Sequence, residues 1–426
     1  AESMAPSVAL LLLVPSCAAY VPNALPPFTS RRALTLAGDL RVPSGPCASV
    51  AGSAVAEGAK LYNKKKDREV AKVAGGLKVG TRRVVVITGA SSGLGLSTTR
   101  ALLAQGGKFF VIAAVRDPAK MDAVAKEAGL SKNDYVAMKL ELASLESVKD
   151  FVRNLKLFLP ARPINHLICN AAVYLPKDPM PKWTDDGYEM SLGVNHLGHF
   201  LLLQLLLPDL KRAKNARCCI VGSVTGNSNT IAGNFVKPVA DVGALEGLAA
   251  GGGRASTMTS SPSEPFDGAK AYKDAKALNM MTVLEMHRRF HEETGILFNS
   301  MYPGCIAETN LFREKRQWFR ELFPVFMKTV GAYVSELEAG ERLAQVIYDP
   351  QCTKSGVYWS WNGNARQFAL SPTKVQTGDG GVALQKLGAG GAGGDIFENE
   401  FSGMITDEAR GKLMYEYSMQ AVAAYL

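Results

Sequence analysis

A continuous apolar run, Val84–Ile87, leads straight into Thr88-Gly89-Ala90-Ser91-Ser92-Gly93-Leu94-Gly95, and this junction constrains the fold more than any other stretch of the chain. A strand that is apolar at every position, rather than at every second one, is covered on both faces, which is the condition inside a parallel sheet. The glycines allow a tight strand-to-helix turn and let backbone N–H groups at the helix N-terminus approach a pyrophosphate. Gly89, Gly93 and Gly95 form a G-x-x-x-G-x-G pattern, and the hydroxyls of Ser91 and Ser92 add further contacts. Leu94–Gly106 is predicted to be the helix that follows.

The alternation continues downstream. Strands are predicted at Phe109–Ala114, Tyr135–Leu140, His166–Cys169, Cys218–Gly222, Leu297–Tyr302 and Gly356–Ser360. Helices are predicted at Pro118–Ala128, Leu145–Phe158, Gly187–Leu210, Tyr272–Thr294, Glu336–Tyr348 and Asp407–Tyr425. This is the signature of an α/β fold with a doubly wound parallel sheet, the Rossmann arrangement. A single catalytic domain is expected over residues 80–426, with a long insertion after the fifth strand at Thr225–Ala271. A second insertion, Phe368–Asp395, carries GAGGAGG at Gly388–Gly394 and is read as a flexible excursion.

Charge serves to exclude a class of partner. The formal charge is +9, but residues 59–83 alone carry +7 and residues 1–58 sum to zero. The basic character is thus a local run, read as a solvated helix or linker over 59–79, with contact to an anionic membrane surface as the second reading. No nucleic-acid partner is expected. Cys17, Cys47, Cys169, Cys218, Cys219, Cys305 and Cys352 show no CxxC and no framework spacing, which points to reduced thiols. No metal site is expected, because the histidines and cysteines form no ligand cluster. Residues 1–58 are read as a targeting presequence. Val8–Val14 is an apolar run too short to span a bilayer, followed by Pro15-Ser16-Cys17-Ala18-Ala19 and a hydroxyl-, Ala- and Pro-rich stretch with Arg31, Arg32 and Arg41. A signal followed by a transit-like stretch suits a plastid bounded by extra membranes; a simple secretory signal is the alternative.

Tyr272 and Lys276 stand at i and i+4 in GAKAYKDAKALNM, on one helix face, with the ammonium near the phenol. Lys276 is expected to lower the phenol's pKa and to bind a nicotinamide ribose, leaving Tyr272 as proton donor. At the end of the second strand, Arg116 offers a guanidinium to a 2′-phosphate where an acidic residue would read the ribose of NAD. Lys120 lies one helical turn further, and NADPH is the expected cofactor. His196 and His199, in GVNHLGHF, are read as packed or surface side chains rather than catalytic ones.

With this turn, this alternation and this Tyr/Lys pair, the chain resembles the short-chain dehydrogenase/reductase superfamily. The resemblance implies further roles. Cys169-Asn170-Ala171-Ala172 matches the superfamily's Asn-Ala-Gly turn with its last Gly replaced by Ala, so Asn170 would brace the sheet or contact the cofactor's ribose. Glu141-Leu142 stands where an Asp-Leu pair lies near the adenine, Asn195 matches the Asn that holds a relay water, and Ser223 matches the Ser that partners the Tyr. Tyr272 follows Ser223 by 49 residues, far more than in ordinary members.

Longer strings narrow the resemblance to the light-dependent protochlorophyllide oxidoreductases: CNAAVYLP (Cys169–Pro176), SLGVNHLGHF (Ser191–Phe200), AYKDAK (Ala271–Lys276), HRRFHEETGI (His287–Ile296), YPGCIAET (Tyr302–Thr309) and SGVYWSWN (Ser355–Asn362). The resemblance implies that the protein binds NADPH and protochlorophyllide, absorbs light through the pigment and reduces one ring-D double bond to give chlorophyllide. It implies a plastid (chloroplast) location peripheral to internal membranes, with a thylakoid or plastid membrane surface as partner and a homo-oligomer left open. It carries cofactor binding onto Gly89, Ser91, Ser92, Gly93, Leu94, Gly95, Arg116, Lys120, Asn170, Ala171, Tyr272, Lys276, Pro303 and Gly304. Catalysis falls on Tyr272, Lys276, Ser223, Asn195 and Cys305, and pigment contacts on Tyr302, Cys305 and Ser223. Ala275 departs from the Ser usual in Y-K-D-S-K. The cover of a pigment pocket is sought in the Thr225–Ala271 insertion and in Leu311–Phe326, which reads as an ordinary amphipathic helix, a pocket lid or a membrane-facing surface. Three other readings stand beside this one: a light-independent NADPH carbonyl reductase or retinol-type dehydrogenase, a catalytically silent dinucleotide-binding module, and a pigment-carrying scaffold.

Overall fold

Val84 and Val86 point into one buried layer and Val85 and Ile87 into another, which is why the run they form has no polar positions. That strand, β1 (Arg83–Thr88), lies inside the sheet, paired in parallel with β2 (Phe109–Val115) on one side and β4 (His166–Cys169) on the other. The computed structural model describes residues 79–160, 162–253, 265–309, 311, 317–362, 375–376, 382–383 and 390–426. The predicted presequence, the linker up to residue 78 and most of the glycine-rich excursion lie outside them. All the described residues fall in the compact unit Lys60–Leu426.

With β3 (Tyr135–Lys139), β5 (Arg217–Val221), β6 (Leu297–Met301) and β7 (Val357–Trp361), the parallel strands run in the order β3-β2-β1-β4-β5-β6-β7. The order reverses between β1 and β4, as in doubly wound sheets that take ligands beyond the strands' carboxyl ends. Beyond the two-residue pair β8 (Val375–Gln376) and β9 (Val382–Ala383), a strand absent from the prediction, β10 (Ile396–Asn399), adds antiparallel to β7. Its sequence IFEN is too short and mixed to announce itself.

Helices cover both faces. On one lie α1 (Gly93–Leu103), α2 (Pro118–Glu127) and a later helix, Glu336–Tyr348, whose Leu343, Val346 and Ile347 pack with Val85, Ile87 and Val111. On the other, α3 (Leu145–Phe158) and α4 (Gly198–Lys211) supply Phe151, Phe200, Leu201 and Leu206 to the second layer. One π-helical turn, Leu192–Leu197, precedes α4.

The insertion after β5 folds into short helices, α5 (Ile231–Phe235) and α6 (Glu246–Ala249), and leads into α7 (Gly268–Met286). α7 starts a turn earlier than predicted because Asp267 caps it, accepting from Ala269 N at 2.7 Å and Lys270 N at 2.9 Å. The longer helices that follow in chain order are α8 (Gln317–Thr329), α9 for the Glu336–Tyr348 helix already described, and α10 (Glu408–Val422). The described end of the glycine-rich excursion is docked rather than loose. Gly390 N donates to Trp361 O and Ala392 N to Tyr333 O, while the buried Arg342 donates to Gly391 O at 2.8 Å and Gly393 O at 3.2 Å.

Candidate active site

Most of the residues singled out above follow the carboxyl ends of β1, β4, β5 and β6 or lie on α7, with Arg116 and Lys120 after β2 and Glu141 after β3. At β1 the chain turns through Gly89 (φ 71°) and Gly93 (φ 53°), left-handed backbone that glycine adopts without strain. A Cβ on Gly95 would collide with the Gly89 carbonyl oxygen and sit 2.7 Å from Asn170 Nδ2, so only glycine fits there. Ser92 stands at the N-cap of α1 without a side-chain capping bond, so its hydroxyl takes up none of the first-turn N–H groups. This is a cradle suited to a dinucleotide pyrophosphate. Arg116 and Lys120 are both exposed beside the end of β2, and Asp117 between them is occupied in capping α2 through Lys120 N. Glu141 turns its carboxylate onto Ala143 N (3.0 Å), capping its own turn.

Asn170 braces the sheet. Its Nδ2 donates to Thr88 O at 2.8 Å, and its backbone N–H and that of Ala171 both donate to Thr88 Oγ1. Asn195 lies in the π turn with its side-chain amide spent on Val173, accepting from Val173 N (2.8 Å) and donating to Val173 O (3.0 Å). A π turn inside a helix is a common mark of a functional site.

Tyr272 and Lys276 lie one turn apart on α7 and both are buried. The Lys276 ammonium donates to Val221 O at 2.7 Å and sits 5.8 Å from the centre of the Tyr272 ring. Burial depresses Lys276 to about 8. Burial also pushes the Tyr272 phenol up, Tyr174 adds to the rise and the Ser223 hydroxyl pulls against it. The expectation of a lowered phenol pKa is therefore reversed. Removal from water dominates over the pull of Ser223, and the Lys276 ammonium is itself desolvated and turned toward a carbonyl. Ser223 is at hand but shares its hydroxyl with Thr225 Oγ1 at 2.8 Å.

After β6, Tyr302 is half-buried and its phenol is pushed well up, first by burial and then by Cys305, Tyr358 and Tyr272. Burial raises the Cys305 thiol to about 12, so at neutral pH it is a thiol and not a thiolate. Gly304 has φ 106°, and Arg342 holds this loop by donating to Pro303 O at 2.9 Å.

Some contributors carried no signal that sequence reasoning used. Tyr174, inside CNAAVYLP, has its ring centre 4.8 Å from that of Tyr272. Tyr358 is fully buried and stacks on Phe401 at 5.6 Å. Lys273 and Asp274, between the two expected catalytic residues, fasten the insertion: Lys273 Nζ donates to Val236 O and Pro238 O, and Asp274 accepts from Asp241 N at 2.8 Å. His196 and His199 are buried, as the packed reading expected, and each is hydrogen-bonded.

Residues 83–235 match the family model for short chain dehydrogenases. A chloroplastic protochlorophyllide reductase of Cucumis sativus is 56% identical over 297 residues, covering 69% of this chain and 73% of its own length. Protochlorophyllide reductase A of Oryza sativa subsp. japonica, also chloroplastic, is 55% identical over 300 residues, covering 69% and 76%. Among solved structures, an NADPH-bound carbonyl reductase from chicken fatty liver is similar at 20% identity and a TM-score of 0.48, covering 66% of this chain and 96% of that one.

Proposed function

This chain belongs to the protochlorophyllide reductase family of short-chain dehydrogenases, and from that premise we propose that it reduces protochlorophyllide to chlorophyllide with NADPH in a light-driven step of chlorophyll synthesis. It is an oxidoreductase that works with a nicotinamide cofactor. NADPH rather than NADH is favoured by the exposed Arg116 and Lys120 beside the end of β2, where a 2′-phosphate would find two cations.

The observation that carries the reading is the Tyr272 phenol: buried, kept protonated by that burial, and flanked by Lys276, Ser223 and Tyr174 at the carboxyl end of the sheet. Reducing one carbon–carbon double bond adds a hydride to one carbon and a proton to the other. NADPH, when bound, supplies the hydride. Tyr272 supplies the proton from its O–H, and the Lys276 ammonium stabilises the phenolate left behind. Gly89, Ser91, Ser92, Gly93, Leu94 and Gly95 hold the pyrophosphate; Asn170, Ala171, Pro303 and Gly304 line the route to the nicotinamide. Tyr302 and Cys305 form one wall of the pigment site, with Cys305 acting as a neutral thiol. Asn195, its amide bonded twice to Val173, holds the turn before Tyr174 in place.

A plastid location rests on the names of the relatives and on the presequence pattern of residues 1–58. Contact with a membrane surface is supported by α8, whose Trp318, Leu322, Val325 and Phe326 are exposed on an amphipathic helix. No helix among the described residues is long and apolar enough to cross a membrane.

The test is an absorption spectrum of the protein with NADPH and protochlorophyllide, recorded in the dark and after a flash. A red shift to the chlorophyllide band only after light is expected, with the Tyr272→Phe variant losing most product while still binding pigment. Pigment bound but unchanged after illumination refutes the light-driven reading, and turnover of lipophilic ketones in the dark would replace it with the carbonyl reductase.

A further inference from the structure

His199 has no part in the site as derived above, yet its hydrogen bonds admit only one arrangement. Thr88 Oγ1 accepts from Asn170 N at 2.9 Å and from Ala171 N at 3.0 Å, which uses both of its lone pairs. Its one proton must therefore point to its third neighbour, His199 Nε2, at 2.9 Å. An Nε2 that accepts leaves the ring's proton on Nδ1, where it donates to the Asn195 carbonyl oxygen at 3.1 Å. His199 is buried, burial pushes it down to about 4, and the nearby Lys276 ammonium pushes in the same direction, so the neutral ring persists across the physiological range.

The bonds close a ring. From Thr88 they reach Asn170 and Ala171; the chain continues to Val173, which is bonded twice to the Asn195 side chain; Asn195 O returns through His199 to Thr88. The next residue after Val173 is Tyr174, whose ring packs on Tyr272. We propose that His199 is a positioning residue: as the Nδ1–H tautomer it locks the end of β1 and the turn after β4 to the π turn carrying Asn195, and so fixes the dinucleotide floor relative to Tyr272. This rests on the site being a nicotinamide-dependent reductase, and adds a residue to it.

Two variants and one spectroscopic measurement test the idea. His199→Phe keeps the ring's bulk but leaves the Thr88 hydroxyl and the Asn195 carbonyl unpaired. His199→Gln can still accept at one atom and donate at another. NADPH titrated in the dark, followed by nicotinamide fluorescence, needs neither pigment nor light, so it reads the positioning role even if the pigment reading fails. His199→Phe should weaken NADPH binding about tenfold or more. Product per flash at saturating NADPH should fall by up to about a hundredfold, as small misplacements of reacting groups do. His199→Gln should recover most of both. Wild-type affinity and yield in a folded His199→Phe protein overturn the proposal, as does a loss confined to thermal stability or a Gln variant no better than Phe. In the wild-type protein, 15N shifts of the His-labelled chain must show His199 with a protonated Nδ1 and a bare Nε2 from pH 8 to pH 5. A protonated Nε2 overturns the assignment whatever the variants do.

Discussion

Lys276 is a buried ammonium with one carbonyl partner, and that makes it a measurable liability. Its folded pKa of about 8 lies below the value of 10.5 for a lysine in water. The gap corresponds to about 3 kcal/mol by which burial disfavours the charged form. The sign follows from proton counts. Between those two pH values the unfolded chain holds the proton and the folded chain has released it, so stability rises with pH. The contribution is fully present above 10.5 and is lost as pH falls to about 8. Lys276→Met keeps the length of the side chain and removes the titration. At pH 7 the variant escapes the penalty but loses the 2.7 Å bond to Val221 O, worth roughly 1.5–3 kcal/mol for a charged donor, so the two proteins should be nearly equal in stability. From pH 7 to pH 10.5 the wild type should gain about 3 kcal/mol on the variant, read as the difference between urea unfolding curves at each pH. Other titrating groups cancel in that difference. A gap that stays flat within about 0.5 kcal/mol across the range would refute the claim that burial governs this ammonium, and with it the account of the raised Tyr272 phenol.

The cradle and the cofactor preference give two more tests. Gly95→Ala forces its new Cβ into the Gly89 carbonyl, an overpacking cost of about 1–3 kcal/mol, and should weaken NADPH binding at least about tenfold by fluorescence titration; binding within about twofold of wild type would mean the turn yields easily. Arg116→Gln should raise the NADPH dissociation constant by about ten- to hundredfold while leaving NADH nearly unchanged, as expected for loss of one charge-assisted phosphate contact; an equal effect on both cofactors would remove Arg116 from the 2′-phosphate.

What could be read in advance follows from how local each signal is. The strand Val84–Ile87 and the glycines after it depend on neighbours in sequence, so the sheet, its helices and the tight glycine turn were legible. Tyr272 and Lys276 were legible for the same reason, since i and i+4 fixes their shared face. Their electrostatics were not. Whether Lys276 lowers the phenol's pKa or burial raises it depends on what covers α7, and α7 is buried on every side. The bonds that fasten the described end of the glycine-rich excursion were not legible because their partner, Arg342, lies about fifty residues earlier, and nothing in GAGGAGG points to it. His199 was invisible as more than a packed ring because its role lies in Thr88 and Asn195, one of them 111 residues away.

The burial of α7 also explains why two kinds of residue alternate along one of its turns. Tyr272 and Lys276 face the site, whereas Lys273 and Asp274, the residues between, hold the insertion by the carbonyls of Val236 and Pro238 and the N–H of Asp241. Asp274 is raised to about 7, chiefly by burial and against the pull of Lys270, whose ammonium is 2.9 Å away. A desolvated carboxyl with these partners stays only because breaking the set would leave unpaired polar groups inside the protein. The far side of the insertion is fixed as well: Asn227 donates to Glu400 O and accepts from Ser402 N, on either side of the Phe401 that stacks on Tyr358. The insertion is therefore held on one side by α7, the helix that carries Tyr272, and on the other by the segment around Phe401. A displacement of Val236–Asp241 would therefore pull on the turn of α7 between Tyr272 and Lys276, so a change at Asp241 or Pro238 should be felt at the Tyr272 phenol.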